Sequence, residues 1–131
     1  SDRLLKMLKK GEKREDIVRG ITILQSADIP VTVYLMAGFP SETNEDLRQT
    51  IDLAYELDAD YYSLSILSPY LGTEIFNDVF NNDDGHNHGE KNWEYFYHQT
   101  GDMMVNDTLS KEMVDEFLDL NKLNDQGKGY V

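Results

Sequence analysis

Two short turns hold the residues whose types and spacing could do chemistry. The first is Gly38, Phe39, Pro40, Ser41 and Glu42; the second is Pro69, Tyr70, Leu71 and Gly72. Glycine at 38 permits close backbone approach, proline at 40 stiffens the bend, and the amides around Thr43 begin a helix that favours anionic groups. An ordinary tight turn between a strand and a helix uses the same residue types, so this turn alone leaves both readings open. His86 and His88 form a His-x-His pair that could hold zinc or nickel, but a metal site needs further ligands. With acidic neighbours and only His98 nearby, a solvated loop is the expected role. The chain has no cysteine, which excludes disulfides, a thiolate nucleophile and a self-contained iron–sulfur site.

The elements that must position these turns are legible from periodicity. Ser1 or Asp2 can cap a short helix to about Lys10, ended by Gly11. A second helix is predicted over 14–27, with Ile17, Ile21, Leu24 and Ala27 on one face. Residues 31–37 are β-branched and apolar, and read as a strand buried on both faces, the parallel-sheet type. Thr43 is a natural N-cap with Asp46 at the capping-box position, and a helix to Leu57 turns Leu47, Ile51, Ala54 and Leu57 inward. A second strand is predicted over 61–68 and a short helix over 73–80. This order is the arithmetic of repeated βα units, whose ligands bind at the C-terminal ends of the strands. Residues 81–90 read as a polar loop. Residues 93–97 form an aromatic cluster, expected to seat the C-terminal extension rather than to wall a substrate. A last helix runs from Ser110 past Leu123 with Met113, Phe117, Leu120 and Leu123 inward, ended by Gly127 and Gly129.

Taken together, the motifs resemble a known family. Residues 38–43, GFPSET, followed by Glu45, Asp46 and Thr50, are similar to the GFPGET-x-ED-x-x-x-T segment of radical S-adenosylmethionine proteins. Residues 67–73, LSPYLGT, resemble their PYPGT turn. Residues 1–11, with the helix at 14–17, resemble the stretch before the first turn. The matches cover residues 1–80 in order. Ser41 stands where the family usually has Gly and Leu71 where it usually has Pro, so both turns can differ slightly in shape. The wording is closest to the branch that often carries a cobalamin-binding domain, to which magnesium-protoporphyrin monomethyl ester oxidative cyclases belong; methylthiotransferases share similar turns.

The resemblance implies a partial (β/α) TIM-like barrel fragment, an α/β fold. It comprises the last two parallel strands with flanking helices in residues 1–80, followed by a mainly helical extension in 81–131. It also implies a [4Fe–4S] cluster that cleaves S-adenosylmethionine to a 5′-deoxyadenosyl radical, hydrogen abstraction from a small-molecule substrate, and cobalamin as a possible further cofactor. The cluster's CxxxCxxC would lie upstream of Ser1, in the missing N-terminal half, leaving this fragment catalytically silent. Matched positions carry expected roles. Lys10 meets the cofactor's carboxylate or is merely solvated; Gly38, Phe39, Pro40 and Ser41 form the turn that supports the adenosyl group. Glu42 caps a helix or bonds the cofactor, and Pro69 and Tyr70 line the substrate face or cover the barrel rim.

Composition narrows the alternatives. The net charge is −13 over 131 residues, with 4 Lys/Arg against 13 Asp/Glu in residues 61–131. Such a surface repels phosphate backbones, which argues against a nucleic-acid partner. No run is long and apolar enough for a membrane span, and no signal peptide opens the chain, so a cytoplasmic location is expected. Ser1, Asp2 and Arg3 lead straight into helix-periodic leucines, as though a boundary were drawn through a larger protein. A strand at 31–37 lacking its preceding neighbour exposes an edge, so the isolated fragment is expected to form a homodimer. The rival reading is a non-catalytic acidic α/β interaction domain.

Overall fold

A computed structural model describes residues 1–70, 73–80 and 105–125, with only the backbone of Val79 and Phe80. The expectations at Leu71 and Gly72, the histidine loop, the aromatic cluster at 93–97 and the end at 127–129 lie outside the described residues. The order is α1 (Asp2–Met7), α2 (Arg14–Ser26), β1 (Thr32–Ala37), α3 (Asn44–Leu57), β2 (Tyr61–Ile66), α4 (Glu74–Phe80) and α5 (Lys111–Leu118), continued by a 3₁₀ helix, Asp119–Asp125. β1 and β2 pair in parallel, with Thr32 opposite Tyr61 and Ala37 opposite Ile66, and α3 makes the crossover between them. The result is a mixed α/β unit whose strands end, at their C-termini, on the two turns.

α3 forms where its local signals place it. The Thr43 hydroxyl accepts from the Asp46 amide, and the Asp46 carboxylate accepts from the Thr43 amide. Leu47, Ile51, Ala54 and Leu57 are buried against the sheet as their spacing requires. The last helix also starts at its expected cap, Ser110, and buries Phe117 and Leu120, with Met113 and Leu123 packed alongside. Its second half tightens into the 3₁₀ helix, which brings Asn124 onto β2. The Asn124 side-chain amide accepts from Tyr62 N at 2.8 Å and donates to Tyr62 O at 2.9 Å, taking the place of a neighbouring strand at that residue.

Three expectations are corrected. β1 is not buried on both faces: Val33, Leu35 and Ala37 face the helices, whereas Tyr34 and Met36 are 81% and 43% exposed. A short apolar run has no periodicity to say which face is covered, and among the described residues every helix that packs on the strand lies on one side. The inward face of α2 is rotated as well. Val18 and Ile21 touch the core while Leu24 and Ala27 are exposed, and none of the helix is fully buried. Finally, α1 ends at Met7 rather than Lys10. Lys9 takes the left-handed conformation at φ 55°, with Lys9 N bonded to Lys6 O and Lys10 N to Leu5 O, so the closure arrives two residues before Gly11.

Leu109, Phe117 and Leu120 share one core with β1, α3 and β2. The described C-terminal segment therefore shares the core of the strands and α3. Truncating Phe117, which is 0% exposed, to Ala should cost about 3–5 kcal/mol. Urea unfolding checks this, and a loss under about 1 kcal/mol, the range of a surface substitution, would detach the segment from the core.

Candidate functional site

The first turn is held from both sides. Gly38 has φ 94°, a conformation that a Cβ disfavours, which turns the chain sharply off the end of β1. Glu42 is 0% exposed, and its Oε2 accepts from Gly38 N at 2.6 Å and Phe39 N at 3.2 Å. The carboxylate thus folds back onto its own turn. It caps no helix, the Thr43 side chain serving that role, and it is buried against the turn. The turn's amides are also spent internally: Glu42 N donates to Phe39 O, and Thr43 N to Asp46. The anion cradle expected around Thr43 is occupied by the protein's own carboxylates.

Burial drives the Glu42 pKa upward, and the Gly38 and Phe39 amides pull it partly back. Its other oxygen, Oε1, is buried without a hydrogen-bond partner. Asp46 is in the opposite state. An ion pair with Arg3, helped by Ser1 and Thr43, holds its carboxyl well below the usual range despite burial. The same guanidinium donates to Ser41 O at 2.6 Å, tying α1 to the turn. Phe39 packs with Leu4 and Leu67, so the phenyl ring fastens the turn to α1 and to the end of β2.

One cavity borders this turn, and a second adjoins the first at Thr73 and Ile75. The first, of about 500 Å³, lies between the end of α1, Pro40, Ser41 and the start of α4, and Lys9 rather than Lys10 borders it. Lys10 is exposed and stands apart from the turn's cavities. The other, of about 300 Å³, runs along the open side of the sheet and is lined by Met36, Ser65, Pro69 and Tyr70. Gly38, Phe39 and Glu42 therefore form a buried frame; Pro40 and Ser41 present one rim, and Pro69 and Tyr70 another.

The frame has a component that the sequence reading missed. Buried Asn106 donates to Glu42 O at 2.8 Å and to Phe39 O, and Thr108 Oγ1 donates to Glu42 O at 2.9 Å. Asn106 Oδ1 in turn accepts from the amides of Thr108 and Leu109, both at 2.8 Å. A lone asparagine far from the turn in sequence gives no local signal of this; only its position just before the Ser110 cap hints at a structured entry to the helix.

No family model matches the chain. It is similar to the tRNA-2-methylthio-N(6)-dimethylallyladenosine synthase of Thermotoga petrophila, 32% identical over 75 residues, covering 56% of this chain and 17% of that protein. The synthase of the same name from Pelotomaculum thermopropionicum is 43% identical over 63 residues, covering 46% and 14%. An uncharacterized methyltransferase of Pyrococcus horikoshii is 30% identical over 76 residues, covering 58% and 17%. The matches thus span less than a fifth of each relative. They support the radical S-adenosylmethionine superfamily and give no support to its cobalamin branch or to an oxidative-cyclase role. Among the described residues, no helix is long and apolar enough to cross a membrane.

The two buried carboxyls should give stability opposite pH dependences. Asp46 has a depressed folded pKa, so its contribution is complete above about pH 4, the unfolded value, and is lost as pH falls towards the folded one. Glu42 has a raised folded pKa, so stability declines as pH rises from about 4.3 through the folded value. Asp46→Asn should cost about 2 kcal/mol at pH 7 and progressively less below pH 4. Glu42→Gln should flatten the decline above pH 4.3. Urea midpoints measured from pH 2.5 to 8 check both; parallel curves for wild type and variants would contradict the assignment.

Proposed function

We propose that this chain is part of a radical S-adenosylmethionine enzyme, with residues 1–80 as the last two strands of its (β/α) barrel and 81–131 as an extension. One observation carries the reading. A parallel strand pair is covered by helices on one face and open on the other, with a groove on the open face at the C-terminal ends of the strands. The open face corresponds to a barrel interior, and ligands of such folds gather at the C-terminal ends of the strands. The similarity to methylthio-adenosine synthases supports the same reading.

The chemistry supplied by S-adenosylmethionine on a [4Fe–4S] cluster is reductive cleavage followed by hydrogen abstraction from substrate. This chain has no thiolate, so it does not fit the cluster, whose ligands belong to another part of the natural protein. Its residues do fit a share of the cofactor's organic part. Gly38 leaves the residue after β1 without a side chain, and Met36, Ser65 and Tyr70 offer an amphipathic wall. With a net charge of −13 the chain disfavours a phosphate backbone. We therefore assign it a cofactor-facing and small-molecule-facing role rather than a nucleic-acid contact.

Ser65→Trp fills the groove without entering the helix-side core. In the natural protein with its cluster reconstituted, it should weaken S-adenosylmethionine binding at least about tenfold, or ~1.4 kcal/mol, while urea stability stays within about 0.5 kcal/mol. Equilibrium titration reads this, and unchanged affinity would remove the groove from the cofactor site.

For the isolated chain we further propose that a second copy pairs along the outer edge of β1, which no described strand covers. The −13 charge on each copy opposes this, so the dimer fraction should rise between 10 mM and 0.5 M salt. Light scattering at micromolar concentration is the check. A monomer at every salt concentration, with slowly exchanging β1 amides, would show the edge closed within the chain.

A further inference from the structure

We infer that Asn106 is a positioning residue for the GFPSE turn, with Thr108 as its second support, so that the C-terminal segment sets the shape of the proposed cofactor rim. The inference rests on the proposed function for the identity of the ligand, and on geometry alone for the positioning.

The geometry is unusually complete for one side chain. Both amide hydrogens of Asn106 are used, on Phe39 O and Glu42 O, and its oxygen is used by the amides of Thr108 and Leu109 and by the Thr108 hydroxyl. The residue is 4% exposed, so water does not replace these partners. The two carbonyls that it grips bracket the exposed pair Pro40 and Ser41, which form the rim of the larger cavity; that cavity meets the proposed cofactor groove at Thr73 and Ile75. Inside the turn, the Glu42 carboxylate holds the Gly38 and Phe39 amides, while Glu42 N holds Phe39 O. The carboxylate therefore fixes the turn's N–H groups and Asn106 fixes its C=O groups. Losing Asn106 leaves Phe39 O with Glu42 N as its remaining donor and Glu42 O with the Thr108 hydroxyl, so the turn is held by half its donors and swings its carbonyls towards water. That motion displaces Pro40 and Ser41 without unfolding the sheet.

A general loss of stability must be told apart from this. Leu109→Ala serves as the matched control: Leu109 is buried in the same segment, and its side chain belongs to the core and not to the turn. Thr108→Ser keeps the hydroxyl and should behave as wild type. In the natural protein, Asn106→Ala should raise the Kd for S-adenosylmethionine about tenfold, and the KM likewise, with kcat at saturation near wild type. Leu109→Ala should lower thermal stability at least as much and leave Kd within about twofold, a few tenths of a kcal/mol. Equal Kd changes in the two variants would overturn the inference, since Asn106 would then act only through stability. A second readout uses the 131-residue chain. Amide exchange at Gly38, Phe39 and Glu42 should accelerate in Asn106→Ala relative to β1, and uniform acceleration would overturn the positioning. Failure of the wild-type protein to bind S-adenosylmethionine would instead overturn the functional reading and the cofactor half of this inference, leaving the exchange experiment to decide the rest.

Discussion

The turn from Gly38 to Glu42 depends on one buried carboxylate. Glu42 Oε2 receives two backbone amides, and without it Gly38 N and Phe39 N would be buried donors without partners. Each such bond to a charged acceptor contributes about 1.5–3 kcal/mol. The cost of burying the charge is several kcal/mol, and Oε1 has no partner to offset it. Burial raises the Glu42 pKa, and the Gly38 and Phe39 amides lower it only in part. Glu42 therefore contributes little net stability and much shape: it selects one conformation for a glycine-containing bend that would otherwise have many.

That weak balance explains why so much else converges on the same place. Arg3 reaches from α1 to Ser41 O and to Asp46; Leu4 and Leu67 close over Phe39; Asn106 and Thr108 hold the carbonyls from below. Asp46 differs from Glu42 because its neighbours include a cation. Arg3 is 52% exposed on its side chain, so the pair is partly screened, yet the Asp46 carboxylate at 6% benefits from donors on both oxygens. Two carboxyls four residues apart thus play contrasting parts. One is stabilised by charge pairing and secures a helix; the other is tolerated for the backbone geometry that it imposes.

How much of this was legible in the sequence follows from the range of each interaction. The capping box at Thr43 and Asp46, the inward face of α3 and the Ser110 cap are local, and the structure has them where periodicity and cap chemistry place them. The covered face of β1 and the rotation of α2 depend on what packs against them, which a strand of apolar residues does not encode. Gly11 looked like the stop of α1, but Lys9 takes a left-handed position ahead of it, and Asp28 and Asp58 take others at the ends of α2 and α3. Lysine is a poor guess there, while aspartate tolerates that region through its short polar side chain. Asn106 was invisible for the same reason as Arg3: its partners are tens of residues away, and a single polar residue carries no period.

The C-terminal segment links these observations into one mechanical unit. Asn106 grips the turn beyond the C-terminal end of β1, and Asn124 grips Tyr62, next to the N-terminal end of β2. Between the two asparagines lie α5 and the 3₁₀ helix, running back along a sheet whose strands are about 20 Å long. Phe117 and Leu120 seat this brace in the core, and Arg48 fastens it to α3 by a two-pronged contact with Glu116. Both asparagines use the side-chain amide as a substitute peptide group, offering a donor and an acceptor where the backbone would otherwise lack partners. Two described strands with two outer edges, one of them capped at Tyr62 alone, make a weak sheet. A brace pinned at both ends supplies what the sheet lacks, because displacing it breaks hydrogen bonds at the turn and at the strand together. The shape of the rim and the integrity of β2 are therefore coupled through a helical segment anchored in the core by Phe117 and Leu120.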